Sequence, residues 1–242
     1  MSIADKFENL KFRLMVVERL RLLKRMYSYK ELSKVTGVPE TVLCRYVKGS
    51  ILPSLEQAER IWKSLDKIVD ARTLIKDRIE LTEEGYVDVT PLLSDPYALE
   101  FIAHYAYMRF AGKRITKVIA PAVNGIPIAT SIALTLQVPL IIAKRGKDAA
   151  IRDYYEDSFV ETPSSVVTFY IPRRAIRKRD EVLIVDDIVR TGKTLRTLVN
   201  IVERARATIS GILVLIAIGD TWKKEIHRPV EVILKLPESY RM

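Results

Sequence analysis

The chain has a single cysteine, Cys44, among its 242 residues. One thiol excludes an internal disulfide and leaves no cysteine cluster to hold a metal. Histidine is nearly as scarce: His104 and His227 lie far apart, in neither ligand nor general-base spacing. No metal site built from side chains is expected. No apolar run reaches the roughly 20 residues that a bilayer-spanning helix needs, and no signal-peptide pattern opens the chain. A cytoplasmic protein is the expectation. Internal repeats and low-complexity tracts are also missing. The hydrophobic content is 48%, enough to bury a core, and the length suits one small and one medium domain.

Charge divides the chain. Residues 1–78 hold 17 Lys and Arg against 10 Asp and Glu, whereas residues 79–242 hold 23 against 20. Seven of the ten net positive charges therefore fall in the first third, a concentration that attracts polyanions. We expect a boundary there, with domains 1–78 and 79–242.

The most informative stretch is VLIVDDIVRTGKT, residues 182–194. Val182, Leu183, Ile184 and Val185, with Ile188 and Val189 just beyond, have the continuous apolar character of a buried parallel strand. Asp186 and Asp187 stand where that strand should end. Arg190, Thr191, Gly192, Lys193 and Thr194 then turn the chain toward a helix beginning near Leu195. A strand tip, a small turn and a helix N-terminus form an anion site, because unpaired backbone N–H groups point outward there. Carboxylates beside it accept hydrogen bonds from sugar hydroxyls, so a sugar phosphate fits. The Gly-Lys-Thr tripeptide also occurs in nucleotide-binding P-loops. That motif needs a second glycine five positions before Gly192, where Asp187 stands. An ordinary strand-turn-helix with solvated acids accounts poorly for two Asp followed by Thr-Gly-x-Thr.

Hydrophobic strand, Asp-Asp, two apolar residues and x-Thr-Gly-x-Thr resemble the signature of the type I phosphoribosyltransferases, which bind 5-phosphoribosyl 1-pyrophosphate (PRPP). The resemblance implies that Asp186 and Asp187 hold the ribose 2- and 3-hydroxyls. It implies that residues 191–194 wrap the 5-phosphate, and that magnesium is held mainly by the ligand's own oxygens. A second segment agrees. Lys117, Val118, Ile119 and Ala120 read as a buried strand, followed by Pro121, Ala122, Val123, Asn124 and Gly125 and an apolar helix over 126–138. This resembles the pyrophosphate loop of orotate phosphoribosyltransferases. Asn124 stands where those enzymes usually carry lysine, which weakens the case for stabilising a departing pyrophosphate.

A third expectation concerns the mobile lid of these enzymes. Residues 140–143 read as a short strand, and Lys144, Arg145, Gly146 and Lys147 follow. The charged run to Val160 lacks strong periodicity and suits a lid, with Lys144 and Arg145 facing a diphosphate. A solvated basic loop is the alternative. The histidine and lysine cluster of the orotate enzyme's catalytic loop is not found. Strands over 166–171, 211–218 and 230–236 and a helix over 193–207 complete a mostly parallel sheet, with ligand at the carboxyl ends of its strands.

The basic first third has its own grammar. Ser28 with Glu31 three residues on forms a capping box, and Leu32 and Val35 supply an apolar face. Gly37 ends the helix and Pro39 opens the next. Gly49 and Pro53 punctuate before a helix over 55–65; a helix over 12–24 and a linker helix over 66–84 are also expected. The spacing resembles the Cro/CI-type helix-turn-helix domain, whose second helix reads the major groove. The fold class expected is α/β: an all-α helix-turn-helix domain followed by a type I phosphoribosyltransferase fold. The resemblance implies that Glu40, Thr41, Cys44 and Arg45 project from the recognition helix, with Arg45 reading guanine or gripping phosphate and Glu40 accepting from cytosine, while Lys30, Lys34 and Lys48 contact phosphates. A charged helical bundle used for dimerisation is the alternative.

Three functions compete. The first is a homodimeric transcription regulator binding a double-stranded DNA operator and sensing PRPP with magnesium, or a related phosphorylated metabolite, without catalysis. Domain order resembles the bacterial purine repressors and the archaeal regulators similar to orotate phosphoribosyltransferase, and Arg190 replaces the small residue usual in the transferases. The second is an active orotate or purine phosphoribosyltransferase with an appended DNA-binding domain. The third is an RNA-binding attenuator, for which the first domain is superfluous.

Overall fold

The computed structural model describes residues 3–241. The chain divides into two units, Met1–Leu74 and Ile75–Met242. The first holds helices α1 (Ile3–Leu23), α2 (Tyr29–Thr36), α3 (Glu40–Val47) and α4 (Leu55–Leu65), and α5 (Ala71–Lys76) carries the chain across the boundary. Leu20, Leu23, Leu32, Leu43, Ile61 and Leu65 are fully buried in its core. The Ser28 hydroxyl accepts from Glu31 N at 3.2 Å, and the Glu31 carboxylate accepts from Ser28 N at 2.7 Å. Two orphan donors at the start of α2 are thereby satisfied. Gly37, at φ 69°, takes the left-handed conformation that ends α2. Helix α3 follows from Pro39. Arg19, buried in α1, lies 4.2 Å from the centroid of the Trp62 ring and donates to Asp66 at 2.6 Å.

The second unit opens with the antiparallel pair β1 (Glu80–Leu81) and β2 (Val87–Asp88), then α6 (Thr90–Ser94) and α7 (Pro96–Arg109). The expected linker helix over 66–84 is therefore not continuous. A short helix and a strand replace it, because Asp70 caps a new start at Thr73 N and the following polar stretch has no sustained apolar face. A five-stranded sheet comes next, in the order β4 (Leu140–Ala143), β3 (Lys117–Pro121), β7 (Glu181–Val189), β8 (Thr208–Ile218) and β9 (Glu231–Leu236). All its neighbours are parallel. Helix α8 (Gly125–Leu136) packs with α7 and against β3 and β7. Helix α9 (Lys193–Arg204) buries Leu195, Leu198 and Ile201 in an apolar cluster that includes Ile119, Ile184 and Val214 of the sheet.

The charged run after β4 differs from the expected lid loop. Residues 144–153 are irregular, but β5 (Tyr154–Thr162) pairs antiparallel with β6 (Ser165–Pro172). Its Tyr, Phe and Val side chains favour a strand, and Phe159 is buried with Val167, Phe169 and Ile171 of β6 in the same apolar cluster. The interspersed Glu and Asp hide the pattern in sequence.

Candidate functional site

The sheet order places a crevice. The chain leaves β3 for β4 on one side and resumes at β7 on the other, so the loops after β3 and β7 diverge. Open parallel sheets bind ligands at such a switch point, beyond the carboxyl ends of the strands. A cavity of about 460 Å³ lies there. The loop after β3 contributes Val123, Asn124 and Gly125, and the end of β7 contributes Asp186, Asp187 and Ile188. Thr194 of α9, Arg145 after β4 and Phe169 of β6 complete much of the wall. The Ala122–Val123 peptide is cis. Gly125 leaves room beside the acids: a Cβ there would lie 3.4 Å from Asp186 Oδ1.

Asp186 is 5% exposed and Asp187 8%. Asp187 N donates to Asp186 Oδ1 at 3.0 Å. Burial pushes the Asp186 carboxyl well above its usual range, and the charge of Asp187 pushes it further. Burial also raises Asp187, against the opposing effect of hydrogen bonds from Asp186 and the backbone. No Lys or Arg forms an ion pair with either acid among the described residues. Two desolvated carboxylates without a cation make a site that gains from hydroxyl donors and from a positively charged complex.

Gly192 turns the chain into α9 at φ 79°. A Cβ there would come within 2.9 Å of Trp222 O, so conformation and space both require glycine. The first N–H groups of α9 have no acceptor within the helix, and Thr194 brings that end to the cavity wall.

The remaining residues singled out from the sequence distribute unevenly. Val189 is 3% exposed in the apolar cluster and pairs with Ala217 of β8, so its side chain packs and does not line the cavity. Arg190 is half-buried and Thr191 exposed in the turn before α9. Lys193 Nζ donates to Val160 O at 2.7 Å, tying the turn to the end of β5. Lys144 does not line the cavity. Its ammonium pairs with Asp148 at 2.9 Å, and it borders a separate hollow with Tyr154 and Tyr170.

Sequence reasoning missed one wall, formed by Val87, Asp88, Val89 and Thr90. Asp88 Oδ1 accepts from Thr90 N at 2.8 Å, and hydrogen bonds from Thr90 hold this carboxyl below its usual range. Arg241 N donates to Gly85 O at 2.7 Å, and Val87 N to Arg241 O at 2.9 Å. The wall is thus pinned by residues more than 150 positions away, and nothing local in the sequence marks it.

In the first unit, Lys30, Lys34, Glu40, Thr41, Arg45 and Lys48 are all exposed on or beside α2 and α3. Cys44 is half-buried. Burial, then Cys44, raises the Tyr29 hydroxyl above its ordinary pKa.

Known proteins match this arrangement. The model of the phosphoribosyl transferase domain family matches residues 89–239. A xanthine phosphoribosyltransferase of Finegoldia magna is 31% identical over 124 residues, covering 50% of this chain and 65% of that protein. The chain thus spans slightly less than two thirds of that relative. A purine biosynthesis transcriptional repressor of Bacillus subtilis is 24% identical over 204 residues, 83% of this chain and 68% of the repressor. That share exceeds the second unit alone, so the likeness extends into the first. The crystal structure of an adenine phosphoribosyltransferase from Rhodothermus marinus superposes with a TM-score of 0.62 at 24% identity, covering 69% of this chain and 98% of that one. The fold and the matched span together make this chain a member of the phosphoribosyl transferase domain family.

Proposed function

We propose that the chain is a homodimeric DNA-binding transcription regulator whose phosphoribosyltransferase-like unit, residues 79–242, senses PRPP or a related phosphorylated metabolite without catalysis. One observation carries this reading: the likeness to a purine repressor runs beyond the ligand unit into the basic helices before it. In the proposal residues 1–78 form a helix-turn-helix domain with its linker, and α3 is the recognition helix. Arg45 would read a guanine edge and Glu40 a cytosine amine, with Thr41 and Cys44 alongside. Lys30, Lys34 and Lys48 would position the domain on phosphates.

The cavity chemistry suits the ligand. Asp186 and Asp187 would accept from the ribose 2- and 3-hydroxyls, and the turn ending at Thr194 would hold the 5-phosphate. Arg145 would meet the diphosphate. Magnesium, held mainly by the ligand's oxygens, would offset charge between diphosphate and acids. The described cavity lining includes neither histidine nor lysine, and Asn124 offers no positive charge to a departing pyrophosphate. Ligand binding would shift DNA affinity by its differential affinity for two arrangements of the dimer.

The second reading, a working transferase, draws on the 31% identity to a xanthine phosphoribosyltransferase. An assay for pyrophosphate release separates the two, using magnesium, PRPP and each of orotate, adenine, guanine, hypoxanthine, xanthine and uracil. The regulator reading expects saturable PRPP binding and no turnover. Turnover with any base overturns it in favour of the enzyme.

A further inference from the structure

The second unit carries a run of cations that the ligand cavity does not use. Arg173, Arg174, Arg177, Lys178 and Arg179 fall within seven residues, and all five are exposed. They precede β7, so they sit at the amino-terminal end of the parallel sheet, whereas the cavity opens at its carboxyl end. Backbone bonds hold this edge in place. Asp180 N donates to Arg177 O at 2.9 Å, which closes a turn. Asp180 O accepts from Thr208 N at 2.9 Å, and Glu181 O from Thr116 N at 2.7 Å, tying the turn to the starts of β8 and β3. Those neighbouring loops add Lys113, Arg114 and Arg206, each exposed.

The acids of this edge are half-buried and already engaged. The Asp180 side chain is 13% exposed, lies 3.3 Å from Lys117 Nζ and accepts from Arg177 N at 2.7 Å. Glu181 receives Ser210 Oγ at 3.3 Å and lies 3.5 Å from Arg114. The side chains of Arg177, Lys178 and Arg179 enter no hydrogen bond or ion pair among the described residues. Their charges do nothing for packing, and like charges this close repel one another. A polyanion relieves that repulsion. Duplex DNA presents one negative charge per roughly 1.7 Å of its axis.

We infer that this edge of the ligand unit is a second nucleic-acid surface, binding the sugar–phosphate backbone of double-stranded DNA without reading sequence. The choice of duplex DNA rests on the regulator reading above; the charged edge itself does not. Because the edge lies at the opposite end of the sheet from the cavity, the metabolite and DNA phosphates do not compete for the same groups. Contacts of this kind fix register and raise affinity, leaving base choice to the recognition helix.

The test uses the full chain and follows DNA binding by fluorescence anisotropy between roughly 50 and 200 mM salt. One duplex carries the DNA upstream of the protein's own gene; the other has random sequence. The triple variant Arg177→Gln, Lys178→Gln, Arg179→Gln is compared with wild type and with Arg45→Ala. On both duplexes the triple variant is expected to flatten the log–log salt slope by about 2 and to weaken binding roughly tenfold at intermediate salt. Its PRPP binding by calorimetry stays at the wild-type level, which reports an intact fold. A wild-type salt slope in the triple variant overturns the inference. So does a wild-type chain that binds single-stranded RNA or anionic vesicles in preference to duplex DNA. If wild type shows no preference for the upstream duplex while the triple variant still flattens the slope, the regulator reading fails and the phosphate surface stands.

Discussion

Asp186 and Asp187 concentrate the chemistry of the ligand unit at two adjacent residues, and their burial has a measurable signature. An unfolded aspartate titrates near 3.9, whereas burial and mutual repulsion raise the folded Asp186 well above its usual value. The folded state then holds more protons than the unfolded state between those two values. The contribution of Asp186 to stability therefore falls as pH rises from about 4 through the raised folded pKa, and stays lowered above it. Asp186→Asn removes the charge and keeps an oxygen to accept from Asp187 N, which lies 3.0 Å away. Ligand-free Asp186→Asn is expected to be more stable than wild type at pH 8, and to lose that advantage near pH 4. Melting curves at both pH values check this, and calorimetry checks the accompanying loss of PRPP affinity. A variant less stable than wild type at pH 8 contradicts the account. The acids, Gly192 and Thr194 were legible in sequence because adjacency and spacing carry their chemistry. The wall of Val87–Thr90 was not, since Arg241 positions it from the far end of the chain.

Among the elements, those with a single strong periodicity or a cap were readable. The β3, β4, β7 and β9 strands are apolar runs bounded by turn residues, and α2 carries its capping box in plain sequence. The β5 strand escaped because Glu156 and Asp157 interrupt its β-forming residues, and its hydrophobic partners lie on β6. The expected linker helix over 66–84 breaks for the opposite reason. Its charged residues are compatible with a helix, but Thr73 N finds a new cap in Asp70 at 2.6 Å and the chain then turns into β1. The capping box gives a direct check on α2. Ser28→Ala removes the hydroxyl that accepts from Glu31 N. A destabilisation of the first unit by about 1 kcal/mol is expected, read by hydrogen exchange at amides of α2 and α3. Exchange unchanged from wild type would show that tertiary packing alone defines the start of α2.

At the scale of the whole molecule, two units of different chemistry share one chain. The first exposes basic side chains around a short helix that follows a glycine turn, and the second builds an acidic cradle at the switch point of a parallel sheet. Charge partition marks the division into two units, and the Asp-Asp-Thr-Gly motif marks the family of the second, because that motif combines local backbone geometry with a specific chemistry. In the proposed reading, a ligand in the cradle reaches DNA through communication between the units, which no single motif encodes. The most direct measurement titrates magnesium and PRPP into a binding assay on DNA upstream of the protein's own gene, with Asp187→Asn alongside. The account predicts that PRPP shifts the DNA affinity of wild type, in either direction, and leaves that of Asp187→Asn unchanged. Wild-type protein that binds PRPP saturably while its DNA affinity stays constant would contradict it.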